Sequence, residues 1–200
     1  MRYTGPKHRL ARREGKNFTG KASASLARRV GIPPGAHGVK GKRKISDFGV
    51  QLREKQLAKR VYGLSEKQFV KYYKNAKKVK GKTGEALLQA LECRLDTVTY
   101  RLGFAPSLAM ARQLVSHGHV KVNQGVVNIP SYSVKLGQVI SLGDKAAKIP
   151  AVARLLESGQ GPKLDWLERQ ANAGRFLSIP SREQIPVEVN EQLIVEYYSR

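Results

Sequence analysis

Arg94-Leu-Asp-Thr-Val-Thr-Tyr-Arg-Leu-Gly-Phe-Ala-Pro-Ser107, continued by Ala111-Arg-Gln-Leu-Val-Ser-His-Gly-His-Val-Lys-Val-Asn123, is the stretch on which the fold turns. Leu88, Leu91, Leu95, Val98 and Leu102 recur at steps of three and four, which predicts one continuous amphipathic helix opened at Thr83 and ended at Gly103. On that helix Arg94 and Arg101, seven apart, stand one above the other along a margin of the stripe. Ser107 caps a second, shorter helix with Leu108, Ala111, Leu114 and Val115 inward, and Gly118 is its left-handed stop. The period then falls to two. Val120 and Val122 alternate with Lys121 and Asn123, Gln124-Gly125 supplies a turn, and Val126 to Ile129 and Gln138 to Leu142 follow as strands. Residues 94–142 therefore read as two helices on a small antiparallel sheet.

Charge decides what such a block is for. The 200 residues carry a formal net charge of +22, unevenly spread. Residues 1–82 hold 24 Lys and Arg against four Asp and Glu, whereas residues 83–200 hold 13 against 11. Such a field repels itself and favours a polyanion that releases counterions on binding, which points first to nucleic acid and second to an anionic membrane. The longest unbroken apolar run is Leu108 to Ala111, far short of a bilayer span, and the basic N-terminus lacks the apolar stretch of a signal peptide. No membrane partner is expected.

Upstream, residues 1–45 read as a basic, irregular arm punctuated by Gly5-Pro6, Gly15, Gly20, Gly31, Pro33-Pro34-Gly35 and Gly38, expected to order mainly on RNA. Ser46-Asp47 opens a helix through Tyr62, and Ser65-Glu66-Lys67-Gln68 has the capping-box pattern of a second one running toward Gly81. Arg53, Lys55, Lys59 and Arg60, with Lys71, Lys74, Lys77 and Lys78, are expected to coat this hairpin. Downstream, Pro150 starts a helix to Glu157, a segment surrounds Trp166, and Gln192 to Tyr198 reads as strand or extended chain.

Catalytic groupings are scarce. Cys93 is the single cysteine, so neither an intrachain disulfide nor a cysteine zinc cluster is available, and His8, His37, His117 and His119 lack a recognisable ligand spacing. No Gly-rich phosphate loop follows a strand. Arg94-Leu95-Asp96-Thr97 resembles the motif that holds the catalytic aspartate of one class of pseudouridine synthases. The motif nevertheless lies inside an amphipathic helix whose flank Asp96 would occupy, and no separate catalytic domain remains in the chain. Its expected role is local, an ion pair or hydrogen bond. No enzyme activity, cofactor or metal is expected.

For RNA contact the residue chemistry selects Arg94, Tyr100, Arg101, Ser107, Arg112, Gln113, His117, His119, Lys121 and Asn123. Arginine forks bind phosphate bidentately and stack on bases, and a helix start offers free N–H groups to phosphate. From the basic half the selection adds Arg2, Tyr3, Arg9, Arg12, Arg13, Lys42, Arg43, Lys44, Arg53, Lys55 and Arg60.

The same residues resemble the small RNA-binding module named after small-subunit ribosomal protein four, in Arg94-Leu95-Asp96, Arg101 to Ala105, Ser107, Ala111 to Val115, Gly118-His119 and Val122-Asn123. Arg2-Tyr3, Gly5-Pro6, Arg12 to Gly15, Pro34-Gly35, His37-Gly38, Leu52 to Gln56, Tyr62-Gly63, Asn190 to Leu193 and Tyr198 to Arg200 extend the resemblance to the ribosomal protein family itself. Many members hold a four-cysteine zinc site in the arm. Here three of those positions correspond to His8, Ala11 and Ser25, so the resemblance implies the zinc-free type.

That resemblance implies an α+β protein, with a helical domain bearing the basic arm and an inserted domain of two helices and a small antiparallel sheet. Its expected parts are an arm 1–45, a helical domain 46–93 joined by 180–200, and an α+β domain 94–179 containing the module 94–142. It also implies a primary binder of small-subunit ribosomal RNA at a multi-helix junction of the 5′ domain, which nucleates assembly of the subunit body and contributes to translational accuracy. Ribosomal proteins five and three of the small subunit, and messenger RNA near the channel by which it enters, are the further partners implied. The expected location is cytoplasmic and ribosome-bound, with an organellar matrix or stroma left open. The competing reading is an RNA-modifying enzyme or assembly factor carrying the same module.

Overall fold

A computed structural model describes residues 3–18, 23–38, 44–157 and 164–200. In chain order its elements are α1 (Lys7–Glu14), α2 (Ala24–Arg29), α3 (Asp47–Val61), α4 (Glu66–Ala76), α5 (Thr83–Glu92), α6 (Leu95–Arg101), α7 (Leu108–Ser116), β1 (Val120–Val122), β2 (Gly125–Val126), β3 (Val139–Leu142), α8 (Asp144–Ala147), α9 (Pro150–Glu157), β4 (Leu167–Gln170), β5 (Ala173–Phe176) and α10 (Glu191–Ser199). They form two compact units, residues 1–75 with 188–200, and residues 76–187.

In the first unit α10 packs along α3. Its formation corrects the extended tail expected from the β-branched and aromatic run Ile194-Val195-Glu196-Tyr197-Tyr198. Asn190 caps it, its side chain accepting from the N–H groups of Gln192 and Leu193, and Ile194 is fully buried. The ring of Tyr198 stacks on Tyr73 at 4.6 Å, and its hydroxyl donates to Glu66 at 2.9 Å. Helical packing of one apolar face here overrides strand propensity.

The arm is not irregular throughout, because Lys7–Glu14 and Ala24–Arg29 are helices. Lys7 to Glu14 contains no glycine or β-branched residue, and Gly15 ends the helix with φ 71°. Ser23 caps α2 by accepting from the Leu26 N–H. Glu14, the only acid before Asp47, is the anchor. It accepts from Arg53 at 3.2 Å and from Arg60, so α1 is held against α3. The arm expected at 1–45 therefore belongs to the same unit as the helical hairpin.

The second unit is an antiparallel sheet in the order β2-β1-β3-β5-β4, covered on its inner face by α6 and α7. Val120, Val122, Ile140, Leu142 and Phe176 point inward against Leu95, Val98 and Leu102 of α6 and Ala111, Leu114 and Val115 of α7. Trp166 is fully buried, edge-on to Phe176 at 5.8 Å. The β4–β5 hairpin, which the sequence pattern did not separate from the segment around Trp166, completes the sheet. Gly174 of β5 has a steric reason, since a Cβ there would meet Leu102 Cδ2 at 2.4 Å. The tight turn falls one residue earlier than expected, at Asn123-Gln124 with φ of 47° and 71°, leaving Gly125 in β2.

The largest correction concerns the opening stretch. The stripe from Leu88 to Leu102 is not one helix; it breaks at Cys93-Arg94, and Arg94 is extended, with φ −70° and ψ 140°. The loop at 130–134 takes the backbone groups that would have continued the helix. The N–H of Leu95 donates to the Tyr132 carbonyl at 2.8 Å, and the N–H of Val134 donates to the Cys93 carbonyl at 2.8 Å. Leucines on both sides stay buried, so the hydrophobic period survives a change of axis. By compactness α5 falls in the second unit, which runs over residues 76–187.

Candidate nucleic-acid interface

The break at Arg94 builds a buried charge hub. Asp96, with a fully buried side chain, accepts from Arg94 Nε at 3.0 Å and Nη2 at 2.9 Å, and from Arg112 Nε at 2.7 Å. Its Oδ1 also accepts from the Thr97 N–H at 3.0 Å, so the carboxylate sits at the start of α6 where the helix dipole favours it. Arg94 is 2% exposed. Its expected place is a margin of the helical stripe; its fork is instead committed to Asp96, and it organises the hub from inside. Arg112, on α7, keeps 15% of its side chain in solvent while paired with the same carboxylate. Two guanidinium groups share one carboxylate, which leaves a net positive charge whose outer edge is Arg112.

A second pair joins the last residue of α5 to the last residue of α6. Arg101 donates Nε and Nη2 to Glu92 at 2.9 and 2.7 Å, and the Glu92 side chain is fully buried. The guanidinium also lies 5.7 Å from the Tyr100 ring, so this arginine is oriented by its partners before any ligand arrives. Ser107 is used as a cap, accepting from the Met110 N–H at 3.3 Å. Gln113 on α7 and His117 just past its C-terminal end are both exposed, and the His117 and His119 rings approach to 6.2 Å across Gly118. Lys121 is half-buried on β1; Asn123 sits in the turn, its side chain accepting from the Val139 N–H at 2.9 Å. The structure thus brings Gln113, His117, His119 and Lys121 along one run of chain from α7 into β1.

In the first unit the placements divide in two. Tyr3, Arg9, Arg13 and Lys44 are exposed. Arg12 reaches back to the carbonyls of Ile32 and Pro33 at 3.0 and 3.1 Å. Arg53, Lys55 and Arg60 face inward, contrary to the expectation that they coat the hairpin. Arg53 and Arg60 serve Glu14, whereas Lys55 is 4% exposed, donates to Glu66 at 2.8 Å and stands 4.5 Å over the Tyr197 ring. Lys59 also turns to Glu66, at 2.8 Å. Desolvation is the physical reason in both places: the buried Glu14 carboxylate needs paired charge, and at the half-exposed Glu66 it is the buried Lys55 ammonium that needs a counter-charge. Lys71, Lys74, Lys77 and Lys78 remain exposed. Arg2, Lys42 and Arg43 lie outside the described residues.

The titrations agree with these assignments. Burial raises the Glu14 carboxyl above its ordinary value, against the pull of Arg60 and Arg53. For Glu66 burial acts in the same upward sense, but hydrogen bonds from Lys55, Lys59 and Tyr198 outweigh it and bring the carboxyl down to about 2. Burial, with neighbouring Glu92, pushes the Cys93 thiol up to about 11, which suits a packed side chain rather than a nucleophile. Asp96 is sealed from solvent and saturated with donors, so no base can reach it.

A zinc ion does not fit the arm. Of the three positions discussed above, Ala11 carries no donor atom and Ser25 supplies only a hydroxyl. Among the described residues no group of three or more His, Cys, Asp or Glu is placed to hold a metal. Nor is any described helix long and apolar enough to cross a membrane. Sequence reasoning missed a surface cavity of about 380 Å³ between α1, α2 and the loop at Pro34-Gly35, lined in part by Arg9, Arg12 and Arg29. The three-residue spacing of Arg9 and Arg12 was its signal, legible only once α1 is read as a helix.

A helix pair on an antiparallel sheet, with arginines held rigid by buried acids and a strongly basic helical companion, defines an α+β RNA-binding protein. Comparison with known families specifies it further. Residues 2–92 match the ribosomal protein S4/S9 N-terminal domain, and residues 93–140 match the S4 domain. Over all of this chain and 99% of each relative, it is 50% identical to the small ribosomal subunit protein uS4 of Parabacteroides distasonis, and 49% identical to that of Bacteroides thetaiotaomicron. It is 48% identical, over the same shares, to the uS4 protein of Vesicomyosocius okutanii. The chain belongs to the ribosomal protein S4 family. The two family matches meet at Glu92-Cys93, where α5 ends and the stripe breaks, whereas the compact units meet at residue 75/76.

Proposed function

We infer that this protein is a structural constituent of the small ribosomal subunit, binds the RNA of that subunit, and is not an enzyme. The observation that carries the reading is how the acids are spent. Glu14, Glu66, Glu92 and Asp96 are spent on cations of their own units, while Arg9, Arg13, Lys44, Lys71, Lys74, Lys77 and Lys78 stand exposed in a chain whose net charge is +22. A protein of this kind draws binding free energy from the counterions its partner releases and uses oriented arginines for shape.

In finer terms, the protein is a primary binder at a multi-helix junction of the 5′ domain, acting early in assembly of the subunit body and contributing to translational accuracy. Arg112, Gln113, His117, His119 and Lys121 contact RNA from the second unit, and Arg9, Arg13 and Lys44 from the first. Arg94 and Lys55 act from within by holding neighbours. Ribosomal proteins five and three, and messenger RNA near its point of entrance, complete the surroundings.

Co-sedimentation tests the reading: the protein is expected with small subunits, and a wholly free pool would sink it. Hydroxyl-radical footprinting on small-subunit RNA should protect the 5′ domain junction; protection confined elsewhere would displace the finer proposal. Pseudouridine formation that disappears in Asp96→Ala would restore the enzyme.

A further inference from the structure

We propose that the cavity between α1 and α2 is a phosphate seat, which takes one backbone phosphate of the bound RNA on the guanidinium groups of Arg9 and Arg29. The proposal rests on the RNA-binding reading and adds a site to it.

The wall charges are the first observation. Arg9 and Arg12 are three apart on α1 and so share a face, while Arg29 is the last residue of α2. His8 and Ser25 add two polar side chains, and no acid lines the cavity. The nearest acid in sequence, Glu14, is already taken by Arg53 and Arg60.

The second observation is which donors are spent. Arg12 gives Nε and Nη2 to the carbonyls of Ile32 and Pro33, so it fixes the loop that forms one wall. The side chains of Arg9 and Arg29 have no hydrogen bond or ion pair among the described residues. Two uncommitted forks therefore face one cavity beside a third cation locked in place. The start of α1 adds to the field, because Pro6 provides no side-chain cap and its first turn holds no acid.

A phosphate suits these donors better than a carboxylate does. Its tetrahedral oxygens can accept from two forks that approach along different directions, whereas a planar carboxylate is matched by one. Pro6, Leu26 and Pro34 make part of the wall apolar, which lowers the local dielectric and strengthens the contact. Seating a phosphate here would tie α1 to α2 through the ligand.

The test compares two charge-matched double variants of the full chain on a 5′-domain transcript of small-subunit RNA. Arg9→Gln with Arg29→Gln empties the cavity of its free forks. Lys7→Gln with Arg28→Gln removes the same charge from exposed positions that do not line it. The cavity variant is expected to bind at least about tenfold more weakly than its control and to lose about 0.7–0.9 from the slope of log affinity against log salt. Equal weakening of both would overturn the seat and leave RNA binding standing. Failure of the unaltered protein to bind the transcript would instead overturn the underlying reading. If inorganic phosphate binds the free protein and is lost in the cavity variant while RNA affinities of the two doubles match, the site serves free phosphate and the proposal fails.

Discussion

Asp96 shows how one residue's meaning depends on its surroundings. In sequence it stands in an Arg-Leu-Asp that resembles a catalytic motif; in space it is a buried carboxylate between two arginines. Its removal leaves Arg94 and Arg112 without their shared counter-charge in a dry site. Asp96→Ala is therefore expected to destabilise the second unit by about 3–5 kcal/mol, the range for breaking a buried pair by deleting one partner. Urea denaturation followed by Trp166 fluorescence checks it, since that indole is buried in the same core. A loss below about 1 kcal/mol would mean that the hub does not hold the helix pair.

Among the elements, α10 and the broken stripe teach opposite lessons. The stripe had perfect helical spacing and was interrupted, because a loop offered Leu95 and Cys93 better-placed backbone partners. The tail had strand propensity and became a helix, because α3 and α4 supply an aromatic and charged groove for it. Glu66 ties that arrangement, accepting from Lys55 and Lys59 of α3 and from Tyr198 of α10. Its folded-state pKa, about 2, lies below the ordinary carboxylate value of 4.5. The contribution of Glu66 is thus fully present above pH 4.5 and disappears as pH falls toward 2. Urea midpoints measured across this window should fall for the native sequence, and Glu66→Gln should make them less steep. Parallel curves for the two proteins would remove Glu66 from the acid response.

For the whole molecule, charge separation is the governing property. Residues 1–82 carry most of the excess, and deletion of residues 1–45 is expected to flatten the salt dependence of RNA affinity, by about 0.7–0.9 in slope per lost phosphate contact. An unchanged slope would take the arm out of the interface. The amino-acid sequence by itself determined the class of ligand, the two-helix and sheet pattern of residues 94–142, the absence of a catalytic grouping, and the family. These depend on composition, on short periodicities and on motifs, all of which are local. Tertiary structure alone decided which cations stay at the surface. Arg94, Lys55 and Arg112 are chemically alike in sequence, yet one is sealed, one is spent on Glu66, and one remains at the surface. A buried carboxylate recruits whichever cation folding brings within reach, and that distance is set by partners as remote as Glu14 and Arg60. The arm helices and the cavity between them were hidden for the same reason: the single acid that anchors α1 finds its arginines on α3.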